Sequence, residues 1–145
     1  MDDLIAVLEG ERRAGLYKLE TAVNLTTLTA LSQEHHARLF HLDGATITNK
    51  AAFLHAIADA MLFPHYFGQN WDALEDCLTD LDWLNGDRFI LLYEQPEVFA
   101  QSDPIEWLVA LDILRSTVDY WRTKSRTFSV LLQGNNTDLV GLESL

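Results

Sequence analysis

The most restrictive feature of this sequence is a pair of short apolar runs separated by a long amphipathic segment. The first run, residues 88–93 (RFILLY), has the composition of a strand buried on both faces, and residues 128–132 (FSVLL) form a similar run. Between them, Asp103 and Pro104 predict the start of a long helix, because Asp caps helices well and Pro fits the first helical position. A strand, a helix and a strand in this order predict a βαβ unit with parallel strands.

The segments before this unit continue the alternation of strands and helices. Residues 15–21 and 38–42 are predicted strands, and leucines at helical spacing predict a helix over residues 25–37. Asn49 is a predicted N-cap for the next helix, and Pro64 is expected to end it. We therefore expect an α/β fold with a small parallel sheet packed by helices, in which residues 15–21 add a strand.

The predicted helices also define an expected core. A second helix is expected over residues 70–82, a short helical turn over 97–101, and no periodicity is visible in the tail, residues 133–145. The expected core residues of the helix that follows Asn49 are Phe53, Leu54, Ile57, Ala58 and Met61. Those of the long helix are Trp107, Leu108, Leu111, Leu114, Val118 and Trp121.

The charge balance favours a basic partner. Ten Lys and Arg stand against 22 Asp and Glu, so the formal net charge is −12. Direct binding of a nucleic-acid backbone needs clustered positive charge, so we expect none, whereas a basic protein would be attracted. The single cysteine, Cys77, excludes an intrachain disulfide and suits a reducing compartment. With no basic signal region and no apolar run near the ~20 residues of a membrane span, we expect a cytoplasmic monomer without membrane contact.

Familiar catalytic and metal-binding motifs are missing from the sequence. The five histidines form no HExxH pattern, and there is no P-loop, GxGxxG or GxSxG motif. Cys77 falls on the apolar face of the 70–82 helix, where a cysteine usually behaves as a small hydrophobic residue. We therefore expect a binding protein rather than an enzyme, with no catalytic residue, metal or cofactor.

The clearest functional pattern is an acidic helix face. From residue 51 to residue 87 the chain has no Lys or Arg but seven Asp and Glu. The predicted 70–82 helix places apolar residues on one face, namely Trp71, Leu74, Cys77, Leu78 and Leu81. The opposite face presents Asp72, Glu75, Asp76 and Thr79. Asp72 and Asp76 are four residues apart, which costs a few tenths of a kcal/mol through repulsion. An ordinary solvated face and a surface for a basic partner both fit this pattern.

The loop before this helix favours the binding interpretation. Tyr66 and Phe67 place aromatic rings beside the carboxylates, and Gly68 adds a permissive backbone. Aromatic residues beside charged ones are typical of interface hot spots. We expect one of the two rings to cover the edge of the core instead.

Residues 63–78 resemble the barstar family of intracellular ribonuclease inhibitors. They follow the pattern F-P-x-Y-F-G-x-N-x-D-A-L-x-D-C-L, which is long and uninterrupted. The similarity extends more loosely over residues 38–132. We therefore expect a single domain, residues 1–145, made of a barstar-like core over 38–132, an N-terminal extension (1–37) and a tail (133–145).

The resemblance implies a three-stranded parallel sheet packed by helices, and inhibition by plugging the active site of a ribonuclease. It implies that Asp76 enters the phosphate-binding pocket of that enzyme, that Asp72 is a second interface carboxylate, and that Tyr66 is the interface tyrosine. Gly68 and Asn70 match the residues that shape the loop and the helix start. The expected partner is a basic ribonuclease or nuclease toxin.

Three positions depart from the family pattern. Glu75 and Leu81 stand where the family has tryptophans, with Trp83 as a substitute for the second, and Ser116 stands where a third acidic contact is expected. These departures support an alternative hypothesis, a regulatory interaction module that binds a basic partner other than a nuclease. The expected partner-binding residues are Tyr66, Gly68, Asn70, Asp72, Glu75, Asp76 and Thr79.

Overall fold

The computed structural model describes residues 1–134 and 141–145 and contains one parallel β-sheet with helices on both faces. The strands are β1 (Leu16–Lys18), β2 (Arg38–Asp43), β3 (Arg88–Glu94), β4 (Thr127–Gln133) and β5 (Glu143–Ser144). The α-helices are α1 (Asp2–Glu9), α2 (Leu25–Glu34), α3 (Lys50–Ala60), α4 (Trp71–Leu78), α5 (Glu97–Ser102) and α6 (Pro104–Arg122). The strand order is β2-β3-β4-β1-β5, and every pairing is parallel. The predicted α/β fold with a parallel sheet is therefore confirmed.

The sheet has one strand more than the sequence predicts. The added N-terminal strand is present as β1, which pairs with β4, as expected. The fifth strand, β5, comes from the tail and pairs with β1 through Tyr17–Glu143 and Lys18–Ser144. Two residues are too few to show an alternating pattern, so the sequence gives no sign of this strand. Residues 135–140 of the tail lie outside the described residues.

The N-terminal helix is a second addition. No element is predicted before residue 15, whereas α1 buries Leu4, Val7 and Leu8 and is followed by Gly10 in the left-handed region (φ 83°). The spacing of the three buried residues and the two aspartates of the first turn are ordinary signals of a helix.

Both faces of the central strand are buried. Along β3, Phe89, Leu91 and Tyr93 point to one side of the sheet, and Ile90 and Leu92 to the other. The first side belongs to a large cluster with α3, α4, α5 and α6, whose biggest members are Phe40, Phe53, Phe89, Tyr93, Phe99, Trp107, Trp121 and Phe128. The second belongs to a small cluster with α1 and α2, formed by Leu4, Val7, Leu8, Tyr17, Leu19, Val23, Leu28, Ala37, Ile90, Leu92 and Leu131.

Several details of the helix predictions are wrong. The helix predicted over residues 25–37 ends at Glu34, and Ala58, an expected core residue, is only half-buried and belongs to neither cluster. Leu108, an expected core residue, is 62% exposed, because α6 packs through Trp107 and Ala110 and leaves Leu108 on its outer side. The predicted 70–82 helix ends at Leu78, four residues early. Leu81 is fully buried as expected, but it reaches the core from a left-handed turn (φ 55°) rather than from a helix face.

We propose that residues 1–145 fold as one cooperative domain, because the small cluster joins the N-terminal extension to β3 and β4. Leu8 is fully buried there, so Leu8→Ala should lower the free energy of unfolding by about 2–5 kcal/mol. All four tryptophans lie in or against the large cluster, so urea unfolding followed by tryptophan fluorescence reports on the opposite face of the sheet.

The matched control is Leu62→Ala, which removes the same atoms from a side chain that is 62% exposed and should change stability by less than about 0.5 kcal/mol. A tryptophan transition that Leu8→Ala leaves unmoved would show that the extension folds separately from the rest of the chain.

Candidate protein-binding surface

The start of α4 is fixed by an asparagine cap. The Asn70 side-chain oxygen accepts a hydrogen bond from the Ala73 backbone N–H at 2.8 Å, and its amide nitrogen donates to the Gly68 carbonyl at 3.3 Å. A Cβ at Gly68 would lie 3.3 Å from that nitrogen, so the glycine provides space for the Asn70 amide. The left-handed residue of this loop is Gln69 (φ 50°), which corrects the expectation that Gly68 supplies the unusual backbone conformation.

The faces of α4 are those that the sequence predicts. Leu74, Cys77 and Leu78 are buried, whereas the carboxylates of Asp72, Glu75 and Asp76 are exposed; these three form what we call the acidic face. Among the described residues, no Lys, Arg or His lies within 4.0 Å of them. The helix dipole favours Asp72 in the first turn, but Glu75 and Asp76 lie in the last turn, where negative charge is unfavourable.

Two tryptophans hold α4 against α6, one at each end. The Trp71 indole N–H donates to a Glu106 carboxylate oxygen at 2.8 Å near the start of both helices. The Trp121 indole N–H donates to the Leu78 carbonyl at 2.8 Å near the end of both helices. The two helices therefore run parallel, and the acidic face is presented on a support that is fixed at two points.

In the loop that leads into α4, one aromatic side chain packs on the core and the other is exposed, as expected. Phe67 packs edge-on against Phe63 with ring centroids 5.0 Å apart, and Phe63 packs in the same way on Trp83 at 5.7 Å. The Trp83 indole N–H also donates to the Met61 carbonyl at 2.9 Å. Tyr66, in contrast, is 71% exposed. One ring therefore covers the core and the other is available to a partner.

Residues of α6 extend this surface. The groove between α4 and α6 opens into two depressions of about 550 and 330 Å³. The larger is lined by Trp71, Asp72, Glu75, Leu108, Val109, Leu111, Asp112, Ile113 and Arg115. The smaller is lined by Glu75, Asp76, Thr79, Ile113, Ser116, Thr117 and Tyr120.

Four of the seven predicted site residues therefore line one groove, namely Asp72, Glu75, Asp76 and Thr79. The Thr79 hydroxyl donates to the Glu75 carbonyl at 2.8 Å, so its proton is already used within the chain. Tyr120 also lines the groove and is not among the predicted site residues; it is 40% exposed and lies one helical turn after Ser116. The i,i+4 spacing from Ser116 would have indicated it.

Cys77 is buried and has no disulfide partner. Burial raises the pKa of its thiol, and the nearby carboxylates of Asp80 and Asp76 raise it further. A thiol with a raised pKa is a poor nucleophile, which agrees with the predicted role as a core residue.

Within residues 1–134 and 141–145, no group of three His, Cys, Asp or Glu side chains is arranged to hold a metal ion. In the same residues, no helix has the length and apolar character needed to span a bilayer.

Comparison with known proteins identifies the family. A family model described as Barstar (barnase inhibitor) matches residues 37–133, from the residue before β2 to the end of β4. The chain belongs to the Barstar family. The resemblance seen in residues 63–78 is thereby confirmed, and α4 with its acidic face lies inside the matched range.

The description of the family names an inhibitor and implies a ribonuclease-like partner for members of the family. Residues 1–36 and 134–145 lie outside the match. No curated protein sequence matches the chain.

A solved structure shares the fold. The crystal structure of Cdc6p from Pyrobaculum aerophilum aligns with a TM-score of 0.56 and 18% sequence identity. The alignment covers 97% of this chain and only 39% of that chain, so this protein spans well under half of its length. At this identity the likeness shows the arrangement of strands and helices alone.

The acidic residues after α4 should make stability depend on pH. Partial burial raises the pKa of Asp80 above its ordinary 3.8, and the neighbouring Asp82 carboxylate raises it further. The folded state therefore loses stability as pH rises from about 3.8 through the raised pKa. Asp80→Asn keeps an acceptor for the Asp82 N–H and should raise the thermal unfolding midpoint at pH 7, with the gain vanishing below pH 3.8.

Asp87→Asn is the control, since it also removes one negative charge but from an exposed residue outside this pair. Thermal melts from pH 3 to pH 8 give the comparison. A gain that is equal for both variants, or that persists at pH 3, would contradict the assigned cause.

Proposed function

We propose that this protein inhibits a basic ribonuclease by placing the acidic face of α4 in the active site of that enzyme. The observation that carries the proposal is the acidic face itself: three exposed carboxylates, without ion pairs in the described part of the chain, on a helix fixed at both ends. These carboxylates lower the stability of the fold, because Asp72 and Asp76 repel one another and Asp76 lies at the C-terminal end of the helix, where the helix dipole disfavours negative charge.

The chemistry of ribonuclease active sites complements this face. Such sites gather Arg, Lys and His to bind phosphates, and a carboxylate can accept the same charge-assisted hydrogen bonds as a phosphate oxygen. In our proposal Asp76 occupies the phosphate-binding pocket, with Asp72 and Glu75 beside it. Tyr66 provides the exposed aromatic contact, and Gly68 and Asn70 fix the loop and the helix start.

The net charge supports the same mode of binding. With a formal net charge of −12, the whole molecule attracts a basic enzyme, and this attraction raises the rate at which the two proteins meet. Added salt should screen this attraction, since the Debye length falls from about 10 Å at 0.1 M to about 3 Å at 1 M.

A second function has its own support in the groove. Glu75 replaces the family's tryptophan and Ser116 replaces its third acidic contact, so the groove differs in charge and shape from that of a barnase inhibitor. Both residues line the same depression as Asp76 and Tyr120. A basic partner other than a nuclease would turn the same surface into a regulatory interaction module.

Affinity capture separates these functions. The wild-type protein and the Asp72→Ala/Asp76→Ala variant serve as baits in lysate and in culture medium, at low and at high salt. Asp59→Ala/Asp87→Ala is the control bait, since it loses the same charge from exposed carboxylates outside the acidic face. We expect wild type and control, but not the acidic-face variant, to capture a basic protein at low salt.

The captured protein is then assayed for RNA cleavage with and without the bait. Blocked cleavage supports the inhibitor, and a partner without nuclease activity supports the regulatory module. Capture that is equal for all three baits would show that the partner binds elsewhere.

Asp76→Ala should weaken binding to that partner by about 2–5 kcal/mol, because a cation of the partner would stay buried without its carboxylate. The barnase–barstar complex is itself a reference case for this range. Stability should change by less than about 0.5 kcal/mol, because Asp76 is exposed and its carboxylate has no ion pair in the described residues. Calorimetric titration and urea unfolding give the two values. Asp59→Ala is the single-charge control, and equal affinity of Asp76→Ala and wild type would exclude the proposed role of Asp76.

A further inference from the structure

A second charged pocket lies apart from the acidic face and gathers positive charge. It measures about 440 Å³, and four of the ten Lys and Arg of the chain line it. Its lining residues are Val7, Gly10, Arg12, Arg13, Ala14, Arg88, Arg122, Thr123 and Thr127; we call it the arginine pocket. It lies at the amino ends of β3 and β4, and none of its residues lines the groove between α4 and α6.

Backbone carbonyls hold two of these arginines in place. Arg88 donates to the carbonyls of Leu8 and His35, near the C-terminal ends of α1 and α2. Arg122 donates to the Ala14 carbonyl at 3.1 Å. The two guanidinium groups are therefore positioned before any ligand arrives, so a ligand would not have to order them.

The charges in the pocket are only partly neutralised. Arg12 lies 3.4 Å from Asp3 and 3.6 Å from Glu143, and Arg122 lies 2.6 Å from Asp119. Among the described residues, no carboxylate lies within 4.0 Å of the guanidinium groups of Arg13 and Arg88. The four arginines and the three carboxylates beside them thus leave about one unbalanced positive charge, and two of the guanidinium groups have no carboxylate partner there, in a protein whose net charge is −12.

Several side chains of the pocket have hydrogen-bond donors that contact no acceptor within the described residues. The Arg13 side chain is exposed and makes no hydrogen bond or ion pair there, and the hydroxyls of Thr123 and Thr127 make no hydrogen bond there. Guanidinium and hydroxyl groups that converge on one space match the oxygens of a phosphoryl group.

We propose that the arginine pocket binds the phosphoryl group of a small ligand, either a free pyrophosphate or the diphosphate of a nucleotide. Its volume lies within the ~300–1,000 Å³ of small-molecule sites. A nucleic-acid strand is a poor fit, because a long polyanion would be repelled by the acidic remainder of the surface. This site is independent of the proposed inhibition.

Calorimetric titration and thermal melts with pyrophosphate and with ADP test the proposal, at an ionic strength held constant with NaCl. We expect saturable binding that raises the unfolding temperature. Tighter binding of ADP than of pyrophosphate would assign a nucleotide, and the reverse order a free anion. Arg13→Gln should weaken binding about tenfold, since it removes one charge-assisted hydrogen bond and leaves the core intact.

The matched control is Lys18→Gln, which removes one positive charge from a half-buried residue of β1 that lies outside the pocket, and it should bind like wild type. Thr127→Val should also weaken binding, by loss of a hydroxyl donor. Two results would overturn the proposal: no saturable binding of either probe at millimolar concentration, or equal binding by wild type, Arg13→Gln and Thr127→Val.

Discussion

Two central strands that are apolar on both faces determine most of this architecture. In β3 and β4, five successive residues of each strand are buried, so each strand needs a cover on both sides of the sheet. On one side α3 to α6 provide it around Phe89, Leu91 and Tyr93. On the other side Ile90, Leu92 and Leu131 would face water without α1 and α2. The N-terminal extension, which lies outside the family match, is thus part of the core.

The position of the acidic face follows from this packing through α6. That helix packs on the sheet through Ile113, Leu114 and Val118, and it holds α4 through Trp121 and through the bond between Glu106 and Trp71. Because α4 is fixed by these contacts, it can carry repelling carboxylates that would destabilise an isolated helix of eight residues. Packing energy from the core therefore offsets the electrostatic cost of the binding surface.

The molecule separates its two kinds of charge. Carboxylates dominate the groove between α4 and α6, whereas arginines gather at the amino ends of β3 and β4. The arginine pocket combines Arg12 and Arg13 from the extension with Arg88 and Arg122 from the family-matched range. Docking of α1 brings these two groups together, because Arg88 donates to the carbonyl of Leu8 in that helix. The extension thus completes the sheet and supplies half of a second site.

Local patterns in the sequence are sufficient to predict four of the parallel strands, the caps at Asn49 and Asp103, and the acidic face of α4. These features depend on residue types at short spacing, through side-chain period and hydrogen bonds to nearby backbone, so they can be recognised locally.

Four features cannot be predicted from local patterns: the exposure of Leu108, the pairing of β5, the hydrogen bonds of the indoles of Trp71 and Trp121, and the grouping of the arginines. Each of these depends on residues far apart in the chain, such as Trp121 and Leu78, which are separated by 43 positions. The contact between Trp121 and Leu78 depends on the rotation of α6 about its own axis where it packs on the sheet, and no local pattern predicts that rotation.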